Sequence, residues 1–237
     1  MIEITNVTKS YGSKPALRGV SLRIAPGERV ALVGPNGSGK TTLMRSALGL
    51  LAAEGRVRVG GHDPWSQHKA AMVNVAYVPQ RAPALGAPIG ELMAAWAALR
   101  ERPLEALRIE AEAFGLPVGD LLALPFSSLS GGMQQKLLAA MALASNARIL
   151  LFDEPTANLD PAARAVFLSR LDDRNPAPTV LLSSHRLDEL QALVDRVVVL
   201  SEGRVIFDDG VETFLSSAVH RAAAGLANEA LPLRRIH

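Results

Sequence analysis

Residues 34–42, with the sequence GPNGSGKTT, constrain this chain more than any other stretch. They follow an apolar run at 29–33 that predicts a buried strand, and they precede residues 43–48, which predict a helix that continues to Leu50. A strand, a glycine-rich loop and a helix form the context in which the pattern G-x-x-x-x-G-K-[ST] binds phosphate groups. We therefore expect an α/β protein that binds a polyphosphate ligand.

The residue types in this loop suit a nucleoside triphosphate. Gly37 and Gly39 can adopt backbone angles closed to other residues, so consecutive N–H groups can turn towards phosphates at the helix N-terminus. Lys40 is expected to reach the β- and γ-phosphates, and Thr41 is expected to offer its hydroxyl to Mg²⁺. The predicted contacts in the loop are Gly34, Pro35, Asn36, Gly37, Ser38, Gly39, Lys40, Thr41 and Thr42.

The composition narrows the class of protein. A chain of 237 residues can bury a full core, and its lack of cysteine excludes disulfides, thiolate metal sites and a cysteine nucleophile. The formal charge of +2 gives no argument for nucleic acid as a partner. Residues 1–5 alternate between apolar and polar side chains like a strand, which is not the pattern expected of a signal peptide. The longest apolar runs are far shorter than the ~20 residues that span a bilayer. We expect a location in the cytosol or on the cytosolic face of a membrane.

Two residues near predicted strand ends have alternative interpretations. Tyr11, beside a predicted turn, can be a half-buried strand aromatic, which the residue type alone favours, or a ring on which adenine stacks. Gln80 follows a short strand predicted at 73–78 and can be a solvated loop residue or a ligand of a metal or water in the nucleotide site. The residues alone leave these alternatives open.

The segment 81–128 predicts a helical insertion. Residues Ile89, Leu92, Met93, Trp96 and Leu99 recur at helical spacing, and a second helix is predicted from Leu104 to a stop at Gly115. Trp96 and the methionine are expected in the core. The apolar loop 83–88 before these helices predicts a partner site, because exposed apolar loops commonly mark one.

A second candidate anion site follows at Ser130, Gly131 and Gly132, before a helix predicted to end at Ala144. Ser130 is well placed to cap this helix, and the glycines allow a phosphate or another backbone to come close. Two glycines in a first helical turn cost roughly 1 kcal/mol each relative to alanine. A simple cap would not need them, so a functional role is favoured.

Carboxylates end the next predicted strand, at 149–154. Parallel strands bring their carboxyl ends to the ligand crevice, so Asp153 is expected to hold Mg²⁺, and Glu154 to polarise the water that attacks the γ-phosphate. Asp160, before a proline, predicts a helix N-cap. His185 ends a further buried strand, where it can be a polar loop residue or a contact of the γ-phosphate.

Together these motifs resemble the ATP-binding-cassette (ABC) ATPases over essentially the whole chain. The resemblance implies an α/β P-loop NTPase of ABC type, a mixed sheet core with an N-terminal antiparallel β subdomain and a helical insertion, and ATP and Mg²⁺ as cofactors. The implied division is 1–85 (β subdomain and first part of the core), 86–128 (helical subdomain), 129–215 (rest of the core) and 216–237 (tail). Residue 133 departs from the family pattern, since methionine replaces a usual glutamine or glutamate.

The resemblance also implies roles for individual residues. It makes Tyr11 the adenine-stacking aromatic, Gln80 a metal and nucleotide ligand, and His185 the switch histidine that acts with Glu154 and Lys40 in catalysis. Ser130, Gly131, Gly132 and Asp160 would bind the ATP of a second copy of the chain, or of a related ABC ATPase, in a head-to-tail dimer. A membrane subunit would dock near Gln80 and residues 81–98.

The leading hypothesis is an ATPase subunit that drives transport through a separate membrane subunit, with ABC-2 exporters as the favoured subclass. Such a subunit would lie peripherally on the cytoplasmic face of the inner or plasma membrane. The alternative is a soluble ABC ATPase of cofactor assembly or DNA repair, but no coiled-coil or DNA-binding insertion is evident. A catalytically idle regulatory cassette would lack Lys40, Glu154 or His185, and all three are present.

Overall fold

Buried apolar runs and turn residues divide the chain into alternating strands and helices. A computed structural model describes residues 1–184 and 193–217. The strands are β1 (Ile2–Tyr11), β2 (Lys14–Ile24), β3 (Arg29–Val33), β4 (Glu54–Val59), β5 (Val75–Val78), β6 (Ile149–Asp153), β7 (Thr179–Ser183), β8 (Arg196–Ser201) and β9 (Arg204–Gly210). The helices are α1 (Lys40–Ala47), α2 (His68–Met72), α3 (Ile89–Arg100), α4 (Leu104–Ala113), α5 (Gly131–Ala144), α6 (Pro161–Asp172) and α7 (Val211–Ser216).

Among the described residues, the first of two compact units comprises 1–75, 148–153, 176–184 and 193–217. It contains an antiparallel sheet in the order β2-β1-β4, with Ile2, Ile4 and Val7 in its core. It also contains five strands of the central sheet, of which β6, β7, β3 and β8 are parallel and β9 pairs antiparallel with β8. This confirms the predicted mixed sheet and N-terminal antiparallel subdomain.

The central strands consist of continuous apolar runs, and their side chains are therefore buried. Every residue of β6 and of β7 is buried, which is the pattern of parallel strands covered on both faces. Asp153 and Ser183 are their last residues and lie opposite each other in register. The carboxyl ends of these strands therefore carry polar side chains at one edge of the sheet.

The second unit comprises residues 76–147 and 154–175 and is largely helical. Helix α4 packs on α5, and Trp96 of α3 donates its indole N–H to the carbonyl of Met141 at 3.0 Å. Trp96 and Met93 are buried, which confirms the expectation that they belong to the core. The helical insertion is confirmed, while the subdomain boundaries given above stay a prediction.

Candidate functional site

The phosphate loop connects β3 to α1 and curls through two left-handed glycines. Gly37 has φ 81° and Gly39, directly before the helix, has φ 110°, which residues with a side chain rarely adopt. Residues 35–37 at the tip of the loop are exposed, whereas Ser38 and Lys40 are buried. The first turn of α1 contains no acidic residue that would repel a phosphate.

Lys40 lies against the inner side of this loop. Its ammonium group is nearly buried and donates to the carbonyls of Gly34 at 2.6 Å and Pro35 at 3.1 Å. A buried ammonium needs a partner of this kind, because an unpaired charge is costly away from water. The loop thus holds a positive charge within its curve, where phosphate oxygens can replace the carbonyls.

Asp153 receives hydrogen bonds from two hydroxyl groups and is almost completely buried. Thr41 donates to Oδ2 at 2.9 Å, and Ser183 donates to Oδ1 at 2.7 Å. These bonds join the start of α1 to the ends of β6 and β7. They fix both carboxylate oxygens beside the phosphate loop.

The oxygen donors at this place fit Mg²⁺. Magnesium prefers oxygen ligands and is usually bound through one or two carboxylates together with phosphates and waters. Thr41 and Asp153 supply a hydroxyl and a carboxylate beside the phosphate loop. The site therefore suits an ion that shares its shell with a nucleotide.

Tyr11 ends β1 at a tight hairpin, and the residue is 53% exposed. It pairs with Lys14, from which about 10 Å of strand leads to Leu17. The same strand touches the phosphate loop, since a Cβ on Gly39 would lie 2.9 Å from the Leu17 side chain. The ring is therefore presented to solvent near the loop rather than packed in the core.

In the second unit, Ser130 caps helix α5. Its hydroxyl accepts a hydrogen bond from the N–H of Met133 at 3.3 Å, and both Ser130 and Gly131 are exposed. Close packing explains the glycine at position 132, because a Cβ there would lie 3.1 Å from the carbonyl oxygen of Asn158. One glycine thus leaves the helix N-terminus open, and the other admits a neighbouring backbone.

Further contacts tie this helix to the turn at 155–160. The amide of Gln135, which is buried, donates to the carbonyl of Pro155 at 3.2 Å, and Lys136 pairs with Asp160 at 2.6 Å. Asp160 also caps α6, by accepting from the N–H of Ala163 at 2.9 Å. The hydrogen bond from Lys136, followed by those from backbone N–H groups, lowers the pKa of Asp160.

Glu154 and Gln80 also belong to the second unit. Glu154 directly follows β6 and has φ 53°, a left-handed conformation that is strained for a residue with a side chain. Gln80 is exposed and follows β5, where the sequence predicts it. His185 lies outside the described residues. Its role, like those of Glu154 and Gln80, stays a prediction.

Sequence reasoning did not identify Ser183 and Lys136 as parts of the site. Ser183 donates a hydrogen bond to Asp153. The sequence feature that could have identified Ser183 is its position as the polar residue that ends the buried run at 179–183. Lys136 forms an ion pair with Asp160, but the sequence around neither residue indicates that the other is its partner. Both contacts depend on which elements become neighbours.

Comparison with known proteins places this arrangement in a family. The ABC transporter family matches residues 17–157. The Nod factor export ATP-binding protein I of Paraburkholderia xenovorans (strain LB400) is 34% identical, covering 92% of this chain and 73% of that protein. The zinc import ATP-binding protein ZnuC of Jannaschia sp. (strain CCS1) is 34% identical, covering 95% and 88%. A solved bacterial Atm1-family ABC exporter with ATP bound matches with TM-score 0.84 and 26% identity, covering 98% of this chain and 42% of that one.

A phosphate loop with its lysine, and a carboxylate at the end of a strand in the same sheet, define the class of P-loop ATPases. Within that class the chain belongs to the ABC transporter family, as an ATP-binding subunit. Such subunits are ATPases coupled to transport, which dimerise and act with membrane subunits. The alternative of a soluble assembly or repair ATPase is not favoured. No helix within 1–184 or 193–217 is both long and apolar enough to cross a bilayer.

Proposed function

We propose that this chain hydrolyses ATP with Mg²⁺ in a dimer and thereby drives export through a separate membrane subunit. The observation that carries the proposal is the buried carboxylate of Asp153, which accepts hydrogen bonds from the hydroxyls of Thr41 and Ser183 beside the phosphate loop. A carboxylate and a hydroxyl in fixed positions beside a polyphosphate site are what Mg²⁺-dependent phosphoryl transfer requires.

The residues would divide the chemistry between them. Lys40 exchanges the carbonyls of Gly34 and Pro35 for β- and γ-phosphate oxygens. Thr41 and Asp153 hold Mg²⁺, which when bound neutralises negative charge on the phosphates. Glu154 orients and polarises the attacking water.

Other groups would complete the site. Tyr11 stacks on the adenine, and Gln80 and His185 contact the metal and the γ-phosphate respectively. The exposed N-terminus of α5, at Ser130 and Gly131, offers N–H groups to the ATP held by the partner copy. In this arrangement each ATP joins two subunits, so ATP closes the dimer and hydrolysis reopens it.

The test of this catalytic proposal is the variant Glu154→Gln. It keeps the shape of the side chain but cannot accept a proton, so it should bind ATP, accumulate as a dimer and release little phosphate. The measurements are size-exclusion chromatography with ATP and Mg²⁺, and phosphate release with and without EDTA. Glu112→Gln, at an exposed position on α4, is the matched control and should resemble the wild type. Unchanged hydrolysis by Glu154→Gln would remove Glu154 from this role.

An exposed apolar patch supports docking of the membrane subunit at 81–98. We define the docking patch as Leu85, Leu122 and Leu124, which are 39%, 44% and 43% exposed. Backbone hydrogen bonds join its segments: Ser127 N–H donates to the Leu85 carbonyl at 3.0 Å, and Ile89 N–H donates to the Leu124 carbonyl at 2.9 Å. The loop 83–88 is thus fixed against a second apolar segment, and clustered exposed leucines suit an apolar helix of a partner.

The docking proposal is tested by Leu85→Asp combined with Leu124→Asp. The double variant should keep the ATPase activity of the isolated protein but lose co-purification with a multi-span membrane protein from the native host. Leu99→Asp is the control, because Leu99 is 83% exposed and lies outside the docking patch. Equal recovery of the membrane protein with all variants would contradict docking at this patch.

The direction and location of the transporter belong to the same proposal. The Nod factor export relative supports an exporter, with a membrane subunit of ABC-2 type as the favoured partner. The subunit would lie peripherally on the cytoplasmic face of the inner or plasma membrane. A tagged Glu154→Gln protein, extracted with its membranes in mild detergent and ATP, should bring down that membrane subunit in near-equal amount. Recovery from the cytosolic fraction with soluble partners alone would refute this location.

A further inference from the structure

The turn between β8 and β9 holds the phosphate loop through backbone contacts. The N–H of Gly203 donates to the carbonyl of Ser38 at 3.0 Å, and the carbonyl of Gly203 accepts from the N–H of Arg18 at 2.8 Å. One residue of this turn thus joins the phosphate loop to strand β2. These bonds come from a part of the chain far from the phosphate loop in sequence.

Close backbone packing explains why glycine occupies these positions. Gly203 has φ 76°, and a Cβ there would lie 2.7 Å from the carbonyl oxygen of Ala16. A Cβ on Gly34, at the start of the phosphate loop, would lie 2.1 Å from the carbonyl oxygen of Leu200. Distances this short involve backbone atoms, which cannot rotate away as a flexible side chain can. The end of β8, the turn and the phosphate loop therefore fit together without room for a methyl group.

The hydrogen bond from Gly203 has a consequence for phosphate binding. The carbonyl of Ser38 and the N–H of Gly39 belong to one peptide group, which is planar and trans, so they point in opposite directions. Gly203 draws the carbonyl towards the β8–β9 turn, and the N–H of Gly39 is thereby directed away from that turn. Gly39 directly precedes α1, so this N–H is one of the donors at the helix N-terminus that suit an anion.

We infer that Gly203 is a positioning residue for ATP: through Ser38 it sets the direction in which the Gly39 N–H meets a phosphate. The inference rests on the proposed function of the phosphate loop. It assigns a part in nucleotide binding to the β8–β9 turn, a segment outside every predicted motif. Gly203 itself need not touch the nucleotide.

The variant Gly203→Ala tests this role. A methyl group at this position must push the turn away from Ala16, which lengthens the hydrogen bond to Ser38 and lets the 38–39 peptide rotate. The dissociation constant and KM for ATP should rise about tenfold or more, the lower range for a lost hydrogen bond to a charged group. The value of kcat at saturating ATP should stay within about twofold, because this contact is made equally before and during the reaction.

Gly61→Ala is the matched control. Gly61 has φ 89° and open space around its missing Cβ, so this variant carries the same kind of backbone strain without the steric overlap. It should lower the thermal midpoint while leaving the ATP dissociation constant within about twofold of the wild type. If folded Gly203→Ala binds ATP as tightly as the wild type, the inference is wrong. If the wild type itself fails to bind ATP, the failure lies instead in the proposed function.

A measurement on the wild type covers the case in which Gly203→Ala does not fold. Amide hydrogen exchange reports how tightly each N–H is held. Saturating ATP should slow exchange at the Gly203 amide several-fold, because phosphate on the Gly39 N–H fixes the same peptide group, and the Gly61 amide should not change. Equal exchange rates at Gly203 with and without bound ATP would overturn the proposal.

Discussion

Replacing Ser183 by alanine tests how strongly the site depends on the hydroxyl that holds Asp153. Ser183 is completely buried and donates to Asp153 Oδ1 at 2.7 Å. The substitution leaves one oxygen of a buried carboxylate without this donor. A hydrogen bond to a charged group contributes about 1.5–3 kcal/mol, and we expect the free energy of unfolding to fall by that amount. In a chain of this size the thermal midpoint should fall by roughly 3–12 °C.

The matched control is Ser46→Ala. Ser46 is also buried, and its hydroxyl donates to a neutral acceptor, the carbonyl of Thr42, at 2.9 Å. Loss of a neutral hydrogen bond costs about 0.5–1.5 kcal/mol, so this variant should be the milder of the two in urea denaturation. The difference between the variants isolates the contribution of the charged acceptor.

The Ser183→Ala substitution should also change the Mg²⁺ dependence of the ATPase activity. Without Ser183 the carboxylate of Asp153 loses the donor at Oδ1 while the bond from Thr41 holds its other oxygen, so it can turn away from the metal position. The Mg²⁺ concentration that gives half-maximal ATPase activity should rise several-fold, whereas Ser46→Ala should leave it unchanged. Equal stability losses in the two variants, together with unchanged Mg²⁺ dependence, would show that Ser183 does not hold Asp153 in position.

Two further predictions concern Tyr11 and Asp160. Tyr11→Ala should weaken ATP binding by about tenfold, because stacking of a base on an aromatic ring contributes ~1–3 kcal/mol. The control Tyr11→Phe keeps the ring and should bind ATP as tightly as the wild type. Equal ATP affinities of Tyr11→Ala and the wild type in calorimetric titration would exclude stacking. Asp160→Asn should lower the thermal midpoint at pH 7, because the lowered pKa of Asp160 means that folding favours its ionised form. This contribution is present above the ordinary value of 3.8 and is lost as the pH falls through the lowered pKa, so the two midpoints should converge in acid. A difference that persists unchanged in strong acid would show that the charge of Asp160 is not its cause.

Local sequence patterns were sufficient to predict much of the fold. Continuous apolar runs identify β3, β6 and β7, and the helix from Gly131 to Ala144 ends where the sequence predicts. Boundaries were less accurate: helix α1 ends at Ala47 rather than Leu50, because Gly49 takes φ 65° beside the carbonyl of Pro64. The strand predicted to begin at residue 73 begins at Val75. Such errors arise where tertiary contacts decide the end of an element.

The contacts that hold the site could not be predicted from the chain alone. The bond between Ser183 and Asp153 requires that β6 and β7 be neighbours in a particular register. The pair formed by Lys136 and Asp160 requires the start of α5 to lie beside the turn that precedes α6. A sequence reports residue types and local spacing, whereas these contacts follow from the order of strands and the packing of helices.

The left-handed backbone at Glu154 has a consequence for engineering. A residue with a side chain in this conformation costs of order 1–3 kcal/mol, and glycine at the same position would avoid most of that cost. Selection of variants for heat resistance alone should therefore favour replacement of Glu154, the residue on which we propose that hydrolysis depends. Under the proposed mechanism, stability and turnover therefore place opposite demands on this one position.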